Sequence, residues 1–268
     1  MIQFELVTRK YGSKLAVADL NLEVPPGELF ALLGPNGAGK TTTIKMIVGL
    51  LRPTSGTLRV CGHDVVKDTR AAHRLLGYVP DVPFLYDKLT GREFLQFIAE
   101  MYGLEPAHAA QRLATEIEIF GLGDFVDELT ETYSHGMRQR VAFAAALLHD
   151  PAVLVIDEPI VGLDPRSVRL VKDLLREKTA AGMTIFMSTH LLSIAEEIAD
   201  RVGIVDQGRL LFLGTIDQLR QDLSSHHTSL EQLYLRLTDT ALPSVAPQQA
   251  RHSRQVAPQG TGPESRQA

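Results

Sequence analysis

The chain has 268 residues, of which 44% are hydrophobic and 22% are charged, so it suits one large domain or two small ones and can bury a sizeable core. Its net charge of −5 at pH 7 gives no overall basic field that would favour nucleic acid. The single cysteine, Cys61, excludes an internal disulfide and suits a reducing compartment.

Short alternating runs in the first 33 residues predict β-strands. Turn signals at Tyr11-Gly12 and at Pro25-Pro26-Gly27 separate them. Residues 29–33 form an apolar run with strand character, and residues 57–61 alternate as another strand. A further strand ends at residues 77–80. These runs predict a β-rich N-terminal region.

A glycine-rich loop follows the apolar run at 29–33. Gly34-Pro-Asn-Gly-Ala-Gly-Lys40-Thr41 has the spacing of the phosphate-binding loop of nucleotide hydrolases. Its glycines let successive backbone N–H groups curl around phosphate oxygens, and the helix predicted at residues 43–50 directs its positive end at the same anion. We expect Lys40 to reach the β and γ phosphates and the Thr41 hydroxyl to ligate magnesium.

From about residue 88 to residue 150 the pattern becomes helical. Apolar residues at helical spacing predict helices over residues 94–102, 107–120 and 134–148, and Gly121 closes the second. The aromatic and methionine side chains on the first helix are interpreted as packing and not as a cofactor site. The block is predicted to be an inserted helical subdomain.

Strand and helix signals alternate again after this block. Residues 152–156 and 183–187 are predicted to be buried strands, with an amphipathic helix after Pro165 between them. Residues 201–206 and 209–213 indicate a hairpin. Such alternation predicts an α/β fold with a mainly parallel sheet.

The composition changes after about Thr238. Pro, Gln, Ser and Arg dominate and aromatic residues are absent, so this segment cannot bury enough apolar surface to order itself. Residues 1–238 are therefore predicted to form the folded domain and residues 239–268 a disordered C-terminal tail. A partner-docking peptide is the alternative for the tail.

A pair of acids, Asp157-Glu158, directly follows four apolar residues. This pattern places two carboxylates at the carboxyl edge of a buried strand, where open parallel sheets bind ligands. Adjacent acids there are costly unless a cation or a partner meets them. We expect Asp157 to hold magnesium through water and Glu158 to orient or deprotonate a water molecule beside the γ phosphate.

Together these motifs resemble the ATP-binding subunit of an ABC transporter over residues 2–238. Ser134-His-Gly-Met-Arg-Gln139-Arg140 is similar to the signature motif of that family. Gly162-Leu-Asp164-Pro165 matches its D-loop, and Ser188-Thr-His190 matches its switch-histidine segment. The resemblance implies a P-loop NTPase (RecA-like) core with a mainly parallel sheet, an N-terminal antiparallel β subdomain and the inserted helical subdomain.

The resemblance also implies roles for individual residues in an ATPase. Tyr11 would stack on adenine. The magnesium ligands would be Thr41, Asp157 and Asp81. The catalytic residues would be Lys40, Asp81, Glu158 and His190, with His190 touching the γ phosphate and fixing Glu158. The residues implied to bind ATP within one chain are Tyr11, Gly34, Asn36, Gly37, Gly39, Lys40, Thr41 and Thr42.

Ser134, Gly136 and Asp164 have a different implied role. In this family the signature completes the ATP site of the opposite subunit, so that two ATP molecules lie between a head-to-tail pair. A helix beginning near Ser134 would direct its N-terminal dipole at the γ phosphate of the other subunit. The sequence is compatible with a homodimer and with a heterodimer, because the signature and the hydrolytic residues are each present once in the chain.

Two departures from the family pattern bear on function. Tyr133, His135 and Met137 stand where Leu, Gly and Gln are usual, and this form resembles the exporter branch that handles drugs, antibiotics, lipids or polysaccharides. Asp81 stands where the family has its Q-loop glutamine. We hypothesise that Asp81 keeps a metal-sensing role; a greater dependence of the ATPase on its partner is the alternative.

The resemblance implies an integral membrane permease as partner. Residues 82–90 match the place where the family receives a cytoplasmic helix of that permease; ordinary subdomain packing is the alternative for their aromatics. The sequence contains no run approaching the ~18 apolar residues of a membrane span and no signal-peptide layout. It therefore predicts a cytoplasmic protein, peripheral on the cytoplasmic face of the membrane through the permease.

Three other functions fit the sequence less well. An importer ATPase is disfavoured by the signature variant. A soluble ABC ATPase acting on DNA or the ribosome is disfavoured because only about 94 residues separate Lys40 from Ser134 with no heptad run, and because the chain holds one ATPase unit. A non-enzymatic binding module is disfavoured by the presence of Lys40, Asp157, Glu158 and His190. The transported substrate is not encoded in recognisable residues.

Overall fold

The computed structural model describes residues 1–160 and 163–222. Within these residues the chain forms two β-sheets and eight α-helices. Gly162 of the D-loop and the tail predicted at residues 239–268 lie outside the described part. In the described part, no helix combines the length and the apolar character needed to cross a bilayer.

The elements alternate between strands and helices along the chain. The strands are β1 (Ile2–Tyr11), β2 (Lys14–Val24), β3 (Leu29–Leu33), β4 (Ser55–Val60), β5 (His63–Asp64), β6 (Leu76–Val79), β7 (Val153–Asp157), β8 (Thr184–Thr189), β9 (Arg201–Asp206) and β10 (Arg209–Gly214). The helices are α1 (Lys40–Ile47), α2 (Thr69–Arg74), α3 (Gly91–Met101), α4 (Pro106–Ile119), α5 (His135–Leu147), α6 (Pro165–Ala180), α7 (Leu192–Ile198) and α8 (Ile216–Asp222).

The larger sheet has six strands in the order β10-β9-β3-β8-β7-β6. Every pair from β9 to β6 is parallel, and β10 adds an antiparallel edge strand through its hairpin with β9. All residues of β3, β7 and β8 are buried, as expected for central parallel strands covered on both faces. The predicted α/β class and parallel sheet are therefore confirmed.

The smaller sheet is antiparallel, with the order β2-β1-β4-β5. Its inner side chains pack against α1 and one face of the larger sheet in a single apolar cluster, which includes Phe4, Phe30 and Phe186. The rings of Phe30 and Phe186 lie 5.3 Å apart. This cluster fixes the antiparallel sheet over the larger one.

The opposite face of the larger sheet is covered by helices, and its apolar cluster extends into α3, α4 and α5. Thr90 begins α3 with a reciprocal capping box to Glu93. The Tyr133 hydroxyl accepts a bond from the Gly91 N–H at 3.1 Å and donates to the Phe125 carbonyl at 2.7 Å. These bonds join the start of α3 to the segment that precedes α5.

The boundary predicted for the first helix was wrong. It begins at Lys40 and not at residue 43, and it ends at Ile47. Gly39 has a φ of 110° and precedes the helix as its N-cap, so the last residues of the predicted loop already form the first helical turn. Helix α4 begins at Pro106, one residue early, because proline is favoured in the first turn.

Candidate functional site

The predicted phosphate-binding, magnesium-binding and catalytic residues lie near one another at the carboxyl edge of the larger sheet. The phosphate-binding loop follows β3, Asp157 ends β7, and His190 follows β8, and these three strands are neighbours. A cleft of about 450 Å³ opens there. The described residues that line it are Tyr11, Lys14, Ala16, Asn36, Gly37, Gly39, Lys40, Thr41, Thr42, Asp81 and Glu158.

Close backbone packing sets the conformation of the phosphate-binding loop, which lines this cleft. Gly37 and Gly39 have φ angles of 85° and 110°, which L side chains rarely adopt. A Cβ on Gly39 would lie 2.4 Å from the Ala16 carbonyl oxygen, and a Cβ on Gly34 would lie 2.4 Å from that of Val205. The loop is thus held between β2 and β9, with its backbone open to the cleft.

Lys40 is the basic group at the centre of the loop. Its side chain is only 6% exposed, and Nζ donates to the carbonyls of Gly34 at 2.8 Å and Pro35 at 3.3 Å. The same nitrogen lies 3.6 Å from Glu158 Oε1. The ammonium group is therefore fixed over the loop, where an anion bound by the loop would meet it.

Asp157 and Thr41, which lines the cleft, are joined by a hydrogen bond between two side-chain oxygens. Thr41 Oγ1 donates to Asp157 Oδ1 at 3.4 Å, and Asp157 is only 2% exposed. Ser188 Oγ also donates to Oδ1, at 2.5 Å. A hydroxyl and a buried carboxylate are ligands that magnesium prefers, so these residues fit a magnesium ion.

Glu158 connects this pair to His190. Its backbone has a φ of 51°, an uncommon value for a residue with a side chain. Glu158 Oε2 lies 3.0 Å from His190 Nδ1, while Oε1 faces Lys40. The carboxylate therefore has the His190 imidazole at one oxygen and the Lys40 ammonium group near the other. Glu158 itself lines the cleft.

Asp81 lines the cleft, is exposed and lies within electrostatic reach of Asp157 and Glu158. Partial burial, followed by the charges of Asp157 and Glu158, raises the pKa of Asp81, and His135 and His190 oppose this rise. Nearby, burial together with Asp157 and Asp81 raises the pKa of Tyr78 to about 12. A cation bound near these acids would relieve the repulsion that contributes to the raised pKa of Asp81.

Tyr11 also lines the cleft and is 44% exposed. The guanidinium of Arg9 lies 4.7 Å from its ring centre, which leaves the other ring face for a flat ligand. Lys14 and Ala16 line the cleft beside it, and sequence reasoning missed both. They belong to no motif; the pairing of β2 with β1 brings them there.

Ser134, Gly136 and Asp164 do not appear among the described residues that line the cleft. Ser134 caps α5 by accepting from the Met137 N–H at 3.3 Å. Asp164 caps α6 by accepting from the N–H groups of Arg166 and Ser167. Ser134 and Asp164 are exposed, and neither belongs to the described lining of the nucleotide cleft.

A second, apolar groove lies on the helical side. It has a volume of about 790 Å³, and its lining includes Phe84, Tyr86, Phe97 and Met101. Phe84 is 78% exposed and its ring meets that of Tyr86 edge to face at 5.9 Å. Part of the segment 82–90 therefore presents aromatic side chains to solvent instead of packing them inside.

The profile of the ABC transporter family matches residues 17–161. The chain belongs to the ABC transporter family. Membership in this family confirms the predicted ATP-binding ATPase and its P-loop fold. The family match covers the phosphate-binding loop, the signature segment and the Asp157-Glu158 pair of this ABC protein.

Two curated relatives show what this ABC chain is similar to. The linearmycin resistance ATP-binding protein of Bacillus subtilis (strain 168) is 40% identical over 80% of this chain and 69% of its own length. The daunorubicin/doxorubicin resistance ATP-binding protein of Streptomyces peucetius is 41% identical over 87% of this chain and 69% of its own. A solved structure of an ATP-binding subunit of an ABC transporter superposes with a TM-score of 0.84 and 34% identity, covering 88% of this chain and 99% of that one.

Proposed function

We propose that this chain is the ATP-hydrolysing subunit of an exporter and drives a compound outward through a separate membrane permease. The observation that carries the proposal is the convergence of Lys40, Glu158 and His190 around one cleft that ends in a phosphate-binding loop. The two relatives are named for resistance to antibiotic compounds, which fits removal of a compound from the cell. The signature variant at Tyr133, His135 and Met137 supports the same direction.

Each residue that the sequence predicted for the cleft has a part in this proposal. The loop glycines and Lys40 bind the triphosphate, Thr42 and Asn36 border it, and Tyr11 stacks on adenine. Thr41 and Asp157 hold magnesium, with Asp81 as a further acid beside them; when bound, the ion neutralises phosphate charge. Glu158 orients a water molecule and accepts its proton on a carboxylate oxygen, while His190 Nδ1 holds the other oxygen in place.

The working unit is proposed to be a head-to-tail pair of ATP-binding subunits. Ser134 and Gly136 at the start of α5, with Asp164 at the start of α6, are exposed or partly exposed and do not belong to the described lining of their own chain's cleft. A partner's bound ATP would meet the N-terminus of α5, where backbone N–H groups favour an anion. The pair closes on ATP and reopens after hydrolysis, as a homodimer or a heterodimer.

The apolar groove is proposed to receive a cytoplasmic helix of the permease, which would hold this chain at the cytoplasmic face of the membrane. Phe84 and Met101 are exposed at its edge, and exposed aromatic anchors in a groove are typical of helix docking. Arg70 and Arg74 line the same groove one turn apart on α2 and are exposed. An amphipathic helix with an acidic residue would complement this surface.

The experiment that tests the proposal uses Glu158→Gln, which is expected to bind ATP and close without turnover. The variant would be affinity-purified with Mg-ATP from detergent-solubilised cells, and Lys40→Ala, which should not bind ATP, serves as the matched control. Recovery of a polytopic membrane protein with Glu158→Gln supports the transport function. Recovery of ribosomes or DNA-bound proteins without a membrane protein would overturn it.

A further inference from the structure

Ser188, at the end of β8, contacts both acids of the Asp157-Glu158 pair. The parallel register places Ser188 directly opposite Asp157, and Ser188 is fully buried. Its hydroxyl donates to Asp157 Oδ1 at 2.5 Å and accepts from the Glu158 N–H at 3.2 Å. A single buried hydroxyl thus joins a carboxylate and the backbone of the next residue.

The Ser188 hydroxyl acts as donor and as acceptor at the same time. A serine has one hydrogen to donate and two lone pairs that accept. Because the hydrogen points to Asp157, a lone pair remains for the Glu158 N–H, which also reaches the Ser188 carbonyl at 3.2 Å. These bonds hold Glu158 at its uncommon φ of 51°.

The same oxygen of Asp157 also accepts from Thr41 Oγ1. Ser188 and Thr41 therefore approach Oδ1 from two elements, β8 and α1, and together set the rotation of the carboxylate. Ser188 does not line the cleft among the described residues, so it would act through Asp157 and Glu158 and not through the nucleotide.

We infer that Ser188 is a positioning residue of the Mg-ATP site: it orients the Asp157 carboxylate toward magnesium and fixes the backbone from which Glu158 reaches the attacking water. The inference rests on the proposed function, in which Asp157 binds magnesium and Glu158 orients water. Partners that orient a metal-binding carboxylate act on metal affinity even though they never touch the metal.

The test measures binding and turnover separately on the full chain. The affinity for adenylyl imidodiphosphate, a non-hydrolysable ATP analogue, is determined by calorimetry in excess Mg²⁺ and in EDTA for the wild type, Ser188→Ala and Ser188→Thr. Thr184→Val is the matched control, because Thr184 is a fully buried hydroxyl on the same strand that bonds to Gly27 and Pro25, outside the site. Melting temperature and kcat are recorded for every variant.

Ser188→Ala is expected to weaken the Mg²⁺-dependent gain in affinity by about 10-fold or more, while affinity in EDTA stays unchanged. The kcat of Ser188→Ala is expected to fall as well. Ser188→Thr should restore much of the Mg²⁺-dependent affinity and of kcat. Thr184→Val should change only the melting temperature. Should Ser188→Ala fail to fold, Ser188→Cys, with a weaker donor of similar size, is expected to show the same loss in smaller measure.

A ratio of Mg²⁺ to EDTA affinity equal to that of the wild type in the folded variant would overturn the inference. An equal loss in both conditions would also overturn it, because it indicates a general structural role. These outcomes presuppose a wild type that binds the analogue. A wild type that binds no nucleotide, or a Glu158→Gln variant with normal turnover, would instead overturn the proposed function.

Discussion

His190 Nδ1 lies 3.0 Å from Glu158 Oε2, which links the residue after β8 to the residue after β7. The other carboxylate oxygen lies 3.6 Å from Lys40 Nζ. Glu158 therefore has one neighbour at each oxygen, and its position depends on three separate segments of the chain. Loss of any of these neighbours should change its orientation before it changes the fold.

Replacing His190 tests this relationship. His190→Ala is expected to lower the ATPase rate by about 100-fold, because the carboxylate that orients water loses its support. ATP affinity should stay close to that of the wild type, since Lys40 and the loop remain. Steady-state turnover and calorimetric ATP binding give the two readouts. His108→Ala, an exposed histidine on α4, is the control, and normal turnover in His190→Ala would contradict the assigned role.

Gly39→Ala is predicted to abolish the shape of the phosphate-binding loop. The new Cβ would stand 2.4 Å from the Ala16 carbonyl oxygen at a φ of 110°. We expect ATP affinity to fall by about tenfold or more, because the loop must shift or store strain. Gly103→Ala is the control. Gly103 has a φ of 71° and open space around it, so this variant has the backbone strain without a close contact of the new Cβ. Equal ATP binding in the two variants would show that the close approach to Ala16 is unimportant.

The charge of Asp81 is predicted to oppose stability when no cation is bound. Burial and the neighbouring acids raise its pKa, so the ionised form costs folding free energy at neutral pH. Asp81→Asn should therefore melt higher than the wild type at pH 7 in EDTA. The difference should shrink as the pH falls toward about 4, where the carboxyl is protonated in the unfolded chain as well.

With Mg-ATP, the wild type should melt higher than Asp81→Asn, which is the reverse of the order expected in EDTA. The wild type gains more stability from Mg-ATP than Asp81→Asn does, and the variant hydrolyses ATP more slowly, if Asp81 keeps a metal-sensing role. Melting curves with EDTA and with Mg-ATP, together with turnover, provide the comparison. If the Asp81→Ala variant hydrolysed Mg-ATP at the normal rate and still drove transport, the metal-sensing role of Asp81 would be refuted.

Phe84→Asp is predicted to separate this chain from its permease. The ring is exposed at the edge of the apolar groove, so an added carboxylate there removes an apolar anchor without disturbing the core. ATP binding and melting temperature should be retained, while co-purification with a membrane protein is lost. Leu6→Asp is the control, because Leu6 is also an exposed apolar residue but lies on the antiparallel sheet. Retained co-purification of Phe84→Asp would argue for simple packing at this groove.

The phosphate-binding loop and the acid pair were predictable from sequence because their chemistry depends on short, contiguous spacing. Gly34 to Thr41 and Asp157-Glu158 each follow an apolar strand, and the order of strand, loop and helix carries the prediction. The start of α1 was not predictable to the residue, because the φ of Gly39 and its contact with Ala16 decide where the helix begins. Short elements such as α2 and α7 were missed because six or seven residues carry too little periodicity.

The sequence by itself determined the family and the α/β class, and it predicted which residues would meet phosphate and magnesium, since local spacing and buried strands are written along the chain. Tertiary structure decided the rest. Only the register of β7 and β8 sets Ser188 against Asp157, and only the pairing of β1 with β2 brings Lys14 and Ala16 to the wall beside Tyr11. These contacts join residues far apart in the chain, and their distances follow from how the sheets pack, which no local pattern records.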